Sequence, residues 1–130
     1  MTTQVITLNE WDNLGDIRAG MEAFGLRHLP VVDGKRLVGL VSHRDMLRYA
    51  VSALEQHRVA TERQSRLEEQ FVASIMTREV RTVTPETSVQ EAAQLFTDYK
   101  IGCLPVVDGQ GDLQGLVTEH DLLQLLVEDA

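Results

Sequence analysis

The sequence predicts an α/β protein made of two copies of one β-α-β-β-α unit. Three observations carry that expectation: a block that returns intact, a pair of Asp-Gly hairpin signals, and two helical stripes with the same steps. Leu29-Pro30-Val31-Val32-Asp33-Gly34 returns as Leu104-Pro105-Val106-Val107-Asp108-Gly109, an offset of 75 from Pro30 to Pro105. Gly39-Leu40-Val41-Ser42-x-x-Asp45 returns as Gly115-Leu116-Val117-Thr118-x-x-Asp121, an offset of 76 from Gly39 to Gly115, which places one extra residue in the second turn. A period shared by strands, turns and helices fixes an architecture before any single residue is interpreted.

Each copy opens on a short strand, near Val5 to Leu8 or Val80 to Thr84. A helix follows. Leu14, Ile17, Met21 and Phe24 step by three, four and three residues, and Val89, Ala92, Phe96 and Tyr99 repeat the steps, so each set shares one helical face and is expected in the core. Next come a strand through Pro-Val-Val, an Asp-Gly turn between β-branched runs, a strand ending at Gly-Leu-Val, and a closing helix. Strand, helix and strand in succession imply a right-handed parallel crossover. Between Leu40 and Thr84 there is neither Gly nor Pro, and Glu55 to Gln70 is rich in Glu, Arg and Gln, which favours continuous helix. That helix reads as a solvated spacer, or else as an output arm or dimer contact. Leu67, Phe71 and Ile75 keep four-residue spacing, so its end should pack. The expected division is residues 1–54, a helical linker over 55–70, and residues 71–130.

With 130 residues, 43% of them hydrophobic and 25% charged, the chain has the make-up of a globular protein that folds without a partner. A formal net charge of -8 argues against nucleic acid, whose binding draws on Lys and Arg. Met1 is followed by Thr2, Thr3 and Gln4 without a basic start or a long apolar run, so neither a signal peptide nor a membrane span is expected, and the cytoplasm is the expected location. Cys103 is the lone cysteine and reads as a small buried filler. His28, His43, His57 and His120 lack ligand spacing, so no metal is expected. The chain has no Gly-x-Ser-x-Gly elbow, no Gly-x-x-x-x-Gly-Lys loop and no Cys-His cluster, which excludes the common routes to catalysis. No appended catalytic, channel or DNA-binding domain is expected either, which leaves any regulated target protein unidentified.

Where each Gly-Leu-Val strand meets its helix, Ser42-x-x-Asp45 and Thr118-x-x-Asp121 have the form of capping boxes, in which side chains satisfy orphan helix amides. A second reading starts from the same place. A helix start with free amides and a positive dipole end suits phosphate, and an Asp there accepts hydrogen bonds from a ribose diol. Two such boxes at one point of a repeat make the second reading more specific than one would.

The paired Leu-Pro-Val-Val-Asp-Gly and Gly-Leu-Val-[Ser/Thr]-x-x-Asp blocks resemble tandem CBS domains, named after cystathionine β-synthase, over nearly the whole chain. The resemblance implies two CBS repeats packed sheet to sheet about a pseudo-two-fold axis as a Bateman module. It also implies two clefts that take AMP, ADP, ATP or S-adenosylmethionine as regulatory ligand, with no cofactor required. By that resemblance Asp45 and Asp121 would hold ribose hydroxyls, and Ser42 and Thr118 would lie by ribose or phosphate. Leu26-Arg27-His28 and Ile101-Gly102-Cys103, with Pro30 and Pro105 just after them, would line base and ribose. The lead strands, through Val5, Thr7, Val80 and Thr82, would give backbone contacts to adenine.

The copies differ where phosphate would sit. Copy one has His43-Arg44 between its Ser and Asp, and copy two has Glu119-His120, where the carboxylate opposes phosphate. Lys100, opposite Gly25, is a further phosphate candidate by resemblance. Copy one also lacks the Ile75-Met76-Thr77 lead of copy two, which leaves its adenine wall incomplete. The resemblance further implies a homodimer through Met46, Leu47, Ala50, Val51, Leu54, Leu122, Leu123, Leu125 and Leu126. The alternative is a ligand-free dimerisation or protein-interaction module.

Overall fold

The computed structural model describes residues 5–48 and 71–129. The spacer helix expected over 55–70 lies outside them, as do His57, Leu67, Ala50, Val51 and Leu54. In chain order the elements are α1 (Leu14–Phe24), β1 (His28–Asp33), β2 (Arg36–Ser42) and the start of α2, described over 43–48. A 3-10 turn (Val72–Ser74), α3 (Val89–Tyr99), β3 (Cys103–Val107), β4 (Leu113–Thr118) and α4 (Glu119–Asp129) follow. β1 pairs with β2 and β3 with β4, which gives each repeat the helix-hairpin-helix order the sequence predicts. The lead strands are shorter than expected: each is a single parallel bridge, Leu8 to Val31 and Val83 to Val106.

By packing, the chain forms two units. Among the described residues, one holds 6–33, 38–48 and 71–79; the other holds 5, 34–37 and 80–129. In the N-terminal unit Asn13 starts α1, its Oδ1 accepting from the amides of Gly15 at 2.8 Å and Asp16 at 3.4 Å. Gly25 ends α1 in the left-handed region (φ 65°), a conformation Gly adopts without the Cβ penalty. Leu14, Met21, Val31, Val41, Met46 and Val72 form the core. The stretch after the undescribed linker is tied in by backbone bonds: the amides of Val72 and Ala73 donate to the carbonyls of Asp12 and Glu10, both at 2.9 Å. Leu40 and Thr77 exchange a pair of such bonds at 3.0 and 2.9 Å. Ile75 packs against the core, whereas Phe71 is exposed and meets Trp11 edge to face at 5.8 Å.

In the C-terminal unit a capping box starts α3, with Ser88 Oγ accepting from the Glu91 amide at 3.1 Å and Glu91 Oε2 from the Ser88 amide at 3.3 Å. Val83, Ala92, Phe96, Leu104 and Val106 form its core. β3 and β4 pair antiparallel from Cys103 opposite Thr118 to Val106 opposite Gly115; then Val107 faces Leu113, so Gln114 bulges out of the ladder. The turn differs from the expected Asp-Gly hairpin. Asp108 Oδ1 accepts from the amides of Gln110 and Asp112, and Gly111 (φ 85°), not Gly109, takes the left-handed position. Gly34–Leu37 joins this unit by backbone bonds, Leu113 N to Lys35 O at 2.9 Å and Leu37 N to Gly111 O at 3.1 Å.

The stripes are core in part: Leu14, Ile17 and Met21 of α1 and Ala92 and Phe96 of α3 are buried. Phe24, Val89 and Tyr99, expected inside, are exposed: each is a terminal residue of its helix, Phe24 and Tyr99 the last and Val89 the first. Tyr99 is instead capped by the Arg81 guanidinium, 3.4 Å from its ring centre, a cation-π contact that keeps the ring face out of water.

Gly39 is closely approached by the segment after the linker. A Cβ there would lie 2.7 Å from Met76 Sδ and 3.1 Å from the Thr77 carbonyl. Met76 can shift, but the carbonyl is held by its neighbour's Leu40–Thr77 ladder. Gly39→Ala is therefore expected to destabilise the fold by about 1–3 kcal/mol, the range for overpacking, as a lowered denaturant midpoint with unchanged slope.

Candidate functional site

In the N-terminal unit two backbone bonds, Leu8 N to Pro30 O at 2.9 Å and Val32 N to Leu8 O at 2.8 Å, clamp the lead segment against β1. Thr7, just before the clamp, is exposed, and Pro30 is fully buried. Val5 packs with the C-terminal unit and is half-buried. At the far end of the hairpin the His43 amide donates to the Arg27 carbonyl at 2.8 Å, which brings the approach to β1 beside the first turn of α2. Ser42 and Asp45 close the predicted capping box there: Ser42 Oγ accepts from the Asp45 amide at 3.1 Å, and Asp45 Oδ2 from the Ser42 amide at 3.3 Å. Asp45 Oδ1 has no hydrogen-bond partner among the described residues. Leu26 and His43 are half-buried, and Arg27 and Arg44 are exposed. His28 is held below the ordinary imidazole range by burial first and the Arg27 charge second, with Asp45 pulling the other way.

The C-terminal unit repeats this arrangement atom for atom in its backbone. Val83 N donates to Pro105 O at 3.0 Å, Val107 N to Val83 O at 2.9 Å, and Glu119 N to Gly102 O at 3.4 Å. Thr118 Oγ1 accepts from the Asp121 amide at 3.2 Å, and Asp121 Oδ2 from the Thr118 amide at 2.9 Å. Ile101 and Gly102 are half-buried; Cys103 and Pro105 are buried. Val80 is half-buried, and Thr82, Lys100 and His120 are exposed. Lys100 holds the left-handed conformation (φ 52°) at the end of α3, the place Gly25 fills in α1. A non-glycine residue there carries backbone strain of roughly 1 kcal/mol, so the side chain is kept at some cost.

Arg27, His28, Ser42, His43, Arg44 and Asp45 lie at the hairpin-to-helix junction of the first repeat, and Gly102, Cys103, Thr118, His120 and Asp121 at that of the second, whereas Val5 packs with the C-terminal unit. A cleft of about 390 Å³ in the C-terminal unit lies elsewhere: it runs along one face of α4 (Asp121, Leu122, Gln124, Leu125, Glu128) and the start of α3. Asp121 alone of the expected ligand residues lines it. With Asp121 and Glu128 and no Lys or Arg in its wall, it does not suit phosphate. Sequence reasoning missed this cleft and the Arg81–Tyr99 stack, because their partners are far apart in the chain. The Ser88-x-x-Glu91 signature at the cleft mouth was readable. No group of three or more His, Cys, Asp or Glu among the described residues is placed to hold a metal ion, and no helix among them is long and apolar enough to cross a membrane.

Cys103 is 3% exposed, and burial, then the Asp121 charge, pushes its thiol up to about 12. Its folded-state value lies above the unfolded one, so its contribution to stability is complete below about pH 9 and is lost as pH rises towards 12. Cys103→Ala should flatten the alkaline limb of a stability–pH curve measured by denaturant unfolding, and wild-type Cys103 should resist thiol reagents until the chain unfolds.

A family model described as the CBS domain matches residues 1–52 and 72–128. Inosine-5'-monophosphate dehydrogenase of Korarchaeum cryptofilum is 38% identical over 118 residues, which is 91% of this chain and 21% of that enzyme, so the chain spans about a fifth of that relative's length. Among solved structures, CBSX2 in complex with AMP matches with a TM-score of 0.83 at 25% identity, over 99% of this chain and 93% of that one. The cytosolic domain of the Mg2+ channel MgtE in complex with ATP matches with a TM-score of 0.73 at 27% identity, over 96% of this chain and 46% of that one. The returning sequence blocks, the returning backbone bonds and these matches agree: the chain belongs to the CBS domain family and carries two tandem copies of the domain.

Proposed function

We propose that the chain is a non-catalytic regulatory module of the cytoplasm that binds an adenosine-bearing ligand, AMP, ADP, ATP or S-adenosylmethionine, at the hairpin-to-helix junction of each repeat. The observation that carries this reading is the pair of matching junctions: one oxygen of Asp45 or Asp121 caps the helix, and the other has no hydrogen-bond partner among the described residues. A carboxylate spent wholly on capping would leave nothing for a ribose diol; these are half used. That CBSX2 and the MgtE cytosolic domain were solved with AMP and ATP supports the choice of ligand class. The exposed His43-turn cation Arg44 favours phosphate in the first repeat, and Glu119 in the matching turn of the second disfavours it. Lys100, strained and exposed, is a further phosphate donor in the second repeat.

The test is calorimetric titration. A saturating ligand at 100 times its Kd adds about 2.7 kcal/mol of stability, so a thermal-shift panel of nucleotides and S-adenosylmethionine first identifies the ligand. Asp45→Ala and Asp121→Ala are each expected to remove one binding event while lowering stability by only about 1 kcal/mol, the usual cost of a lost cap. Arg44→Ala should lower the AMP-to-adenosine affinity ratio and Glu119→Lys should raise it; unchanged titrations in all four variants would leave capping as the only role.

We further propose a homodimer formed through α4. Leu123, Leu125, Leu126 and Val127 are all exposed on this helix, together with Leu47 on α2, an apolar surface that a lone chain would leave in water. Static light scattering at micromolar concentration is expected to give twice the chain mass, and Leu126→Glu to halve it. Dimers that bind no nucleotide would favour the interaction-module reading.

A further inference from the structure

The two junctions share the same amide-to-carbonyl bond but differ in the side chain that follows it, next to the capping box. The Arg27 and Gly102 carbonyls accept from the first amides of α2 and α4, at 2.8 and 3.4 Å, so the next residue in each chain lies beside the capping box. In the second repeat that residue is Cys103, paired across the sheet with Thr118, the cap itself. In the first it is His28, at the same offset of 75 residues from Cys103. We propose that His28 is a positioning residue that makes the Asp45 site acid-sensitive: protonated, its imidazolium competes with the ligand's ribose for the Asp45 carboxylate, whereas the thiol of Cys103 leaves the Asp121 site indifferent to the same pH change.

This rests on the nucleotide reading above and specifies how its two sites differ. The groups that bear on the His28 charge are Arg27 beside it and Asp45 from α2, with His43 and Arg44 on the same first turn as Asp45. At neutral pH burial and Arg27 keep the imidazole uncharged, and Asp45 is free to accept from a diol. On acidification the imidazolium gains the attraction of the Asp45 carboxylate, which favours its charged form. Because binding and protonation then draw on one carboxylate, each opposes the other by the same factor. The second repeat has no such competitor, since the Cys103 thiol is held neutral far above that range.

Adenosine is the probe, since it lacks the phosphate whose own titration near pH 6 would obscure the effect. In an Asp121→Ala chain, which keeps the first site, its Kd is expected to rise by about threefold to tenfold as pH falls from about 7.5 through the range in which the His28 ring is seen to protonate by NMR. His28→Gln should abolish that dependence, whatever its effect on affinity at about pH 7.5. In an Asp45→Ala chain the remaining site should show a flat profile, and Cys103→His should confer the slope. A flat profile with His28 present, or the same slope in His28→Gln, overturns the inference while leaving the nucleotide reading intact. Binding of neither adenosine nor AMP at any pH in any variant overturns the nucleotide reading, and this inference with it. NMR titration of the His28 ring gives a ligand-free check: Asp45→Asn should move it to more acid pH, and an unmoved ring would also overturn the inference.

Discussion

Everything in each repeat hangs on one residue of the lead segment. Leu8 and Val83 each donate an amide to a proline carbonyl and accept from the amide two residues further along the same strand. The proline is suited to this post: it has no amide to satisfy, so burying it completely leaves only the carbonyl to pair. With the lead segment clamped, α1 or α3 must cross back over the hairpin, and its apolar stripe meets the strand's own side chains. The hairpin in turn sets where α2 and α4 begin, and with them the capping carboxylates. A single parallel bridge per repeat therefore fixes both a core and a site.

What the sequence made legible followed from local chemistry. The hairpins, helices and capping boxes each rest on residues within four positions of one another, and the offset between copies confirmed them in pairs. The lead strands and stripe ends were less readable, because strand length and burial depend on cover from elsewhere. Phe24 keeps perfect helical phase with Met21, yet one side chain lies outside and the other is fully buried. The second turn shows the same limit: Asp108-Gly109 copies Asp33-Gly34 letter for letter, but the added length lets Gly111 take the left-handed role and Gln114 bulge. At the candidate site the capping pairs were legible to the atom. The neighbours that tune them, Arg27 and Asp45 around His28 and Asp121 beside Cys103, were not, since charge and burial act through space rather than along the chain.

Duplication has preserved backbone geometry while letting side chains drift. The amide-to-carbonyl contacts recur across the two units, yet their junctions carry His28 against Cys103, His43-Arg44 against Glu119-His120, and Gly25 against Lys100. Backbone contacts hold the fold and tolerate no exchange. The side chains around them are not bound by those contacts, so two copies of one frame can come to differ in charge, acidity and strain.

The segment Gly34–Leu37 has a consequence for any attempt to divide the molecule. Although it belongs to the first hairpin in sequence, it lies antiparallel along Gly111 to Leu113 and occupies the outer rim of β4. A fragment beginning after the linker would keep its whole repeat and still lose that neighbour. The Leu113 amide and the Gly111 carbonyl would then stand unpaired at the rim of a two-stranded sheet, which offers a template to any extended chain nearby. Such a fragment would be prone to stack on itself, because the turn that covers this edge is supplied by the first repeat.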